Sequence, residues 1–321
     1  MNAAAIRVLY HYNIWAYQQI WDRVKQLDDD QFTADTGYSV GSLRNHLVHL
    51  ASVDTRWFAR VRGATVPDHI VPSDFATVAA VERLWDVVYR DLNPVIDNLT
   101  DAELNTEITY ISRGETYTHA NWRVLLHVLN HGTDHRAQML HALHKLGVKT
   151  FEQDFVYYLR DVMPPREGVK VDREMLLALF RYDTYATGRL VVECLAGLDD
   201  ADLDRSFNYS HNTIRAQLAH IMIAGQYWLE KAFNQEIPAD LSTILGAGQQ
   251  LLSETKPSAL LDPIEYKTGS GISAANTRWE MLWHLVNHGA DHRAQTLAFL
   301  HELGAPTFEQ DMIIYFWDNE V

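Results

Sequence analysis

WRVLLHVLNHGTDHRAQ, residues 122–138, decides the reading of this chain because it occurs a second time. Residues 279–295 read WEMLWHLVNHGADHRAQ, identical at 11 of 17 positions. The match continues downstream at the same offset of 157, where LGVKTFEQD (146–154) pairs with LGAPTFEQD (303–311). Upstream the offset becomes 171, pairing LRNHLVHLASVDTRWF (43–58) with IRAQLAHIMIAGQYWL (214–229). At the head of each copy LYHYNIWA (9–16) pairs with LFRYDTYA (179–186). One module of about 150 residues has therefore been duplicated.

Within each copy apolar residues recur at helical spacing over four long segments. In the first copy these run roughly over 3–28, 40–62, 75–98 and 119–146. Ser73 and Asp74 are the expected N-caps of the third, and Gly147 the stop of the fourth. The stretch TYISRGETYT (109–118) alternates around a glycine and predicts a small hairpin. A repeat this long, with four helices, reads as a bundle and not as a solenoid unit. The expected fold is all-α, two tandem four-helix bundles forming an internal pseudo-dimer. VMPPREGVKVD (162–172) has two prolines, a glycine and mixed charges, the composition of a linker. The expected domains are 1–162 and 172–321, joined by a linker over 163–171. A chain that pairs its own halves is expected to be a monomer.

Composition narrows the function. The 321 residues include 27 basic and 42 acidic side chains, a net charge of −15. Nucleic acid and anionic membranes both require a basic surface, so neither is an expected partner. No run approaches the roughly 18 consecutive apolar residues of a membrane helix, and MNAAAIRVLYHYN lacks the form of a signal peptide. The single cysteine, Cys194, aligns with Val24 and reads as a buried small hydrophobe. These features together suit a cytoplasmic protein. There is no Gly-rich phosphate loop, no GxSxG elbow and no HExxH. The paired tryptophans Trp57 and Trp228, and Trp122 and Trp279, read as core.

The 16 histidines matter through their placement. His127, His131 and His135 are four apart and share one side of the fourth helix, as do His284, His288 and His292 in the second copy. Two imidazoles at i and i+4 supply two cis ligands for a divalent metal, and a stable site wants a third. Outside the fourth helix, the only histidine at aligned positions in both copies is His49 with His220. His46 becomes Gln217, His11 becomes Arg181 and His119 becomes Asn276, so these are weaker candidates. Gln138 and Gln295 share the histidine stripe, with Asp134 and Asp291 at its edge, where they can orient a ligand or a water. Arg136 and Arg293 point away from it and read as salt-bridge partners.

Taken together, each copy resembles the DinB family. The resemblance rests on YNIWA and YDTYA in the first helix, LVHLASVDTRW and LAHIMIAGQYW in the second, and NHGTDHRAQ and NHGADHRAQ in the fourth. EQD followed by an apolar run also fits, and the matching pieces cover nearly the whole chain twice. The resemblance implies a four-helix bundle that binds a divalent metal through one histidine of helix two and two of helix four. Carried over residue by residue, the ligands are His49, His131 and His135, and His220, His288 and His292, about one ion per half. His127, His284, Asp134, Asp291, Gln138 and Gln295 would lie behind them. Both copies read HRAQ where the family commonly has HRGQ, a change that bears on packing more than on ligation. Imidazole ligation suits zinc, nickel, iron or manganese.

Some relatives are thiol-dependent transferases or isomerases. The function expected from the resemblance is thus a metal-dependent enzyme of thiol-dependent transferase or hydrolase type. Its substrate would be a low-molecular-weight thiol or another small molecule, and no catalytic residue stands out. The alternative is a non-catalytic metal-binding stress-response protein. An open ligand position beside a pocket favours the enzyme; a shell closed by a fourth protein group favours the alternative.

Overall fold

Apolar stripes at helical spacing and well-formed caps give each copy four long helices, with a short two-stranded hairpin ahead of the fourth. The computed structural model describes residues 2–267, 271 and 273–319, so the expected outer bounds at residues 1 and 321 lie outside the described residues. In the first copy the long helices are α1 (Ala3–Val24), α2 (Leu43–Val61), α3 (Val78–Asp97) and α4 (Asn121–Lys145). The strands β1 (Glu107–Ser112) and β2 (Glu115–Ala120) pair antiparallel just before α4, and the short helix α5 (Phe155–Val162) follows it. The second copy repeats the order with α6 (Arg173–Arg189), α7 (Ile214–Phe233), α8 (Leu241–Glu254), β3 (Pro263–Lys267), β4 (Ser273–Thr277), α9 (Arg278–Glu302) and α10 (Met312–Asn319). The described chain is mostly helical with two small two-stranded sheets, a departure from a purely α fold.

Local chemistry explains where the helices begin and end. The first stops at Val24 because Asp28 opens a new helical turn, Asp29–Thr33, through a capping box with Gln31. Ser42 caps α2 by accepting from the Asn45 backbone N–H at 3.1 Å. Thr77 caps α3 by accepting from Ala80 N–H at 3.1 Å. The expected caps Ser73 and Asp74 instead belong to a 3-10 turn, Pro72–Asp74, because the extended residues after them delay the helix. Gly147 ends the fourth helix with φ +76°, the left-handed conformation that glycine adopts without steric cost.

The chain divides into two compact units. The first comprises Ile6–Glu152 with Asp311–Val321, and the second Met1–Ala5 with Gln153–Gln310. Each tail helix therefore belongs with the other copy's histidine helix: α10 packs on α4, and α5 on α9. In the first unit the Trp317 indole N–H donates to the Tyr110 hydroxyl of β1 at 3.0 Å, and Trp317 stacks on Tyr117 of β2. In the second unit Phe155 of α5 meets Trp279 of α9 with ring centroids 6.5 Å apart.

The cores follow the stripes. In the first unit α2 packs on both α3 and α4, and Tyr17 and Trp21 of α1 close on Trp85 of α3 at centroid distances of 4.8 and 5.6 Å. In the second, α9 packs on α6 and α7, with α8 against both. Trp57 and Trp279 are buried, whereas Trp122 and Trp228 are half-buried. No described helix is long and apolar enough to cross a membrane.

Candidate metal centres

In the first unit, α2 and α4 lie side by side, so His49 of one meets His131 and His135 of the other. Their Nε2 atoms bring His49 and His131 to 3.2 Å. The ring centroid of His135 is 4.4 Å from that of His131 and 4.8 Å from that of His49. One donor atom from each of the three lies within 4.8 Å of the others. Ligands about 2.0–2.1 Å from a tetrahedral zinc are about 3.3 Å apart, so the His49–His131 spacing fits a shared ion. Burial pushes His131 and His135 well below the ordinary imidazole range, reinforced by neighbouring histidines. Neutral imidazole is the ligating form.

Two further histidines complete this wall. His46 Nδ1 lies 2.8 Å from His135 Nδ1. When His135 donates from Nδ1 to His46, its Nε2 lone pair is left for the cluster. Burial brings His46 down to about 3, which keeps it able to accept. His127 sits one turn before His131, with ring centroids 5.4 Å apart. It packs edge-on against Trp57, which packs edge-on against Tyr110 of the hairpin. Its Nδ1 is buried without a hydrogen-bond partner among the described residues, and burial lowers it to about 3. Gln138 donates to Asp134 Oδ2 at 3.1 Å.

The second unit repeats the plan with different neighbours. His220 of α7 meets His288 of α9 through their Nε2 atoms at 3.0 Å, and the His288 and His292 centroids are 4.3 Å apart. Burial lowers His220 to about 4 and drives His288 and His292 further down. His284 packs edge-on against Trp228, as His127 does against Trp57, and burial lowers it to about 3.

Behind His292 stands a chain of amides. His292 Nδ1 is 2.9 Å from Gln217 Oε1, Gln217 donates to Gln295 at 2.9 Å, and Gln295 donates to Asp291 at 3.0 Å. Gln153 donates to the same carboxylate at 2.9 Å. The amide oxygen of Gln217 can only accept, so His292 carries its proton on Nδ1. Gln217 thus stands behind His292 at the position that His46 occupies behind His135.

A further ring enters this second cluster from the loop before α7. His211 stacks on His220 with centroids 3.8 Å apart and lies 5.2 Å from His292. Among the described residues of this unit, one donor atom each of His211, His220 and His292 lies within 4.8 Å of the others, a set with His211 where the expected one had His288. Sequence comparison passes over His211 because its aligned residue is Val40.

The arginine of each motif lies under the cluster, fully buried. Arg293 pairs with Asp183 of α6 and donates to Thr187 at 3.0 Å and Gln310 at 3.1 Å. Arg136 donates to Asn13, the residue aligned with Asp183, and to Thr133 at 3.0 Å. Its guanidinium lies over the Tyr17 ring, 4.8 Å from the centroid. The carboxyl facing Arg136 is Asp54 of α2, which aligns with Gly225. The carboxyl near the motif arginine therefore comes from a different helix in each copy.

The motif glycine answers to the same network. A Cβ on Gly132 would lie 2.7 Å from both Asn13 Oδ1 and the Tyr17 hydroxyl, and one on Gly289 2.7 Å from Asp183 Oδ1.

The fold and these clusters define a duplicated helical protein with a histidine-rich centre, able to hold a metal, in each unit. The DinB family model matches residues 1–167 and again 174–320. The chain belongs to the DinB family and carries two tandem copies of its fold. Protein DinB of Bacillus subtilis (strain 168) is 29% identical over 158 residues, 47% of this chain and 91% of that protein.

Proposed function

We propose that each unit is a four-helix bundle holding one divalent ion, and that the chain is a metal-dependent enzyme of thiol-dependent transferase or hydrolase type working through its first unit. The observation that carries this reading is the convergence of His49, His131 and His135, with one donor atom of each within 4.8 Å of the others. Three neutral protein ligands leave a coordination position for substrate, the pattern of catalytic sites. Bound there, a zinc, nickel, iron or manganese ion would supply Lewis acidity and make a thiol or water at that position more acidic.

The protein's own contribution is orientation and exclusion of water. His46 holds the Nδ1 side of His135. The Tyr110–Trp57–His127 edge-on stack walls the side of His131. The buried Arg136 network fixes the register of α4 against α1. A low-molecular-weight thiol or a comparably small substrate suits a position reached between two packed helices.

The test is elemental analysis after chelator-free purification, followed by thiol-conjugation assays with several small thiols. About two ions per chain are expected, given three-histidine ligation in each unit. His135→Ala should remove one of them together with the thiol-dependent activity. Saturation below one ion per chain would overturn the reading.

A further inference from the structure

The loops that lead into α2 and α7 are the same loop. Residues 37, 39 and 41 have positive φ, and so do the aligned residues 208, 210 and 212. Thr36 N–H donates to Gly41 O at 2.9 Å, and Phe207 N–H to Asn212 O at 2.8 Å. Gly41 N–H and Asn212 N–H likewise return to Tyr38 O and Tyr209 O. The backbone station between the last two left-handed residues holds Val40 in the first unit and His211 in the second. That station carries a hydrocarbon in the first unit and, in the second, an imidazole stacked on His220.

The second loop is also held from within. Asn212 Oδ1 accepts from Asn208 N–H at 2.9 Å and from the Ser206 hydroxyl at 2.7 Å. Thr213 caps α7 by accepting from Ala216 N–H at 3.1 Å. His211 is thus presented to His220 by a structured turn. Unlike His288 and His292, it is not buried, so it stands where solvent reaches the cluster.

We propose that His211 is a fourth ligand, supplied by the loop, which closes the second metal site together with His220, His288 and His292. This inference rests on the reading that both units bind metal. It divides the labour within one chain. The first site, with Val40 at the loop station, keeps a position open for substrate. The second, with His211 there, is a saturated four-imidazole site that retains its ion without admitting a thiol. Four protein ligands and no exchangeable position is the pattern of structural sites.

Cobalt(II) is the probe, because thiolate coordination to it gives a near-ultraviolet charge-transfer band. The full chain is studied in the His135→Ala background, which leaves only the second site. With 2-mercaptoethanol added, the cobalt-loaded protein should develop no thiolate band. Adding His211→Val, which copies the first unit's own residue, should make the band appear. It should also weaken cobalt binding at least about 10-fold, the lower end of the cost of losing even an outer partner of a metal ligand. In the complementary His292→Ala background, which leaves only the first site, Val40→His should tighten cobalt binding at the first unit. If cobalt binds but His211→Val changes neither thiol access nor affinity, the fourth-ligand proposal is overturned while metal binding stands. If the unsubstituted chain takes up no cobalt, the underlying reading has failed instead.

Discussion

Asp183→Asn tests how the second cluster is held. The substitution keeps the shape and an acceptor oxygen but removes the charge facing Arg293, whose side chain is 0% exposed against 10% for Asp183. The remaining partners, Thr187, Gln310 and Tyr182, are neutral. Breaking one side of a buried ion pair costs about 3–5 kcal/mol, and the carboxamide retains only part of a charge-assisted hydrogen bond worth about 1.5–3 kcal/mol. A loss of about 3 kcal/mol or more is therefore expected in the second unit. For a unit of roughly 160 residues, each kcal/mol moves the midpoint by about 2–4 °C, so differential scanning calorimetry should show one transition falling by at least about 6 °C. The first unit, which has asparagine at the aligned position and Asp54 facing its arginine, should melt as before. A fall under about 2 °C, or a fall in the first unit instead, would refute the argument that this carboxylate balances the buried guanidinium.

Asp54 should give the first unit a pH dependence of opposite character to that of most carboxylates. Burial raises it to about 7 from 3.8, with Arg136 of α4 and the Tyr89 hydroxyl of α3 pulling the other way and Tyr10 and Tyr17 of α1 also close. The folded unit keeps a proton that the unfolded chain releases, so this contribution is complete below about pH 4, fades as pH rises to about 7, and is constant beyond. Urea melts of wild type and Asp54→Asn should diverge by on the order of 4 kcal/mol between pH 4 and 8, wild type being relatively weaker at pH 8; a constant difference would remove the basis for this. Among the histidines, His131→Ala should abolish metal binding at the first unit. His46→Ala and His127→Ala should keep it with affinity about 10- to 100-fold weaker, and complete loss in His127→Ala with retention in His135→Ala would shift the ligand register by one turn. Deleting residues 311–321 should lower the melting transition of the first unit and spare that of the second, since α10 packs on α4; calorimetry distinguishes the two outcomes.

The helices were legible because each carries a stripe, and the duplication displayed the motif twice. Comparing the copies also set the limits of what could be read. His211 escaped because a search for histidines shared by both copies discards one that faces Val40, and only the fold of the loop brings it to His220. His46 was ranked low because its counterpart is Gln217, yet an imidazole and an amide oxygen can each hold the Nδ1 side of a ligand. The salt-bridge expectation for the motif arginine holds for Arg293, whereas Arg136 bonds to Asn13 and faces a carboxyl on another helix. The third-helix cap fell at Thr77 and not at Ser73 or Asp74, since several residues in that stretch can cap and tertiary packing selects among them.

The allocation of the two tail helices carries a consequence for synthesis. The face of α4 that α10 covers emerges from the ribosome about 180 residues before α10 does, a wait of roughly 9–36 s at 5–20 residues per second. During that interval the tail helix within reach is α5, whose FVYYLRD aligns with MIIYFWD of α10, although its place in the finished protein is on α9. Two helices of like sequence thus have two like docking faces, and chain order favours the pairing that the native structure does not use. The two tail helices can therefore be sorted between α4 and α9 only once α10 has been made.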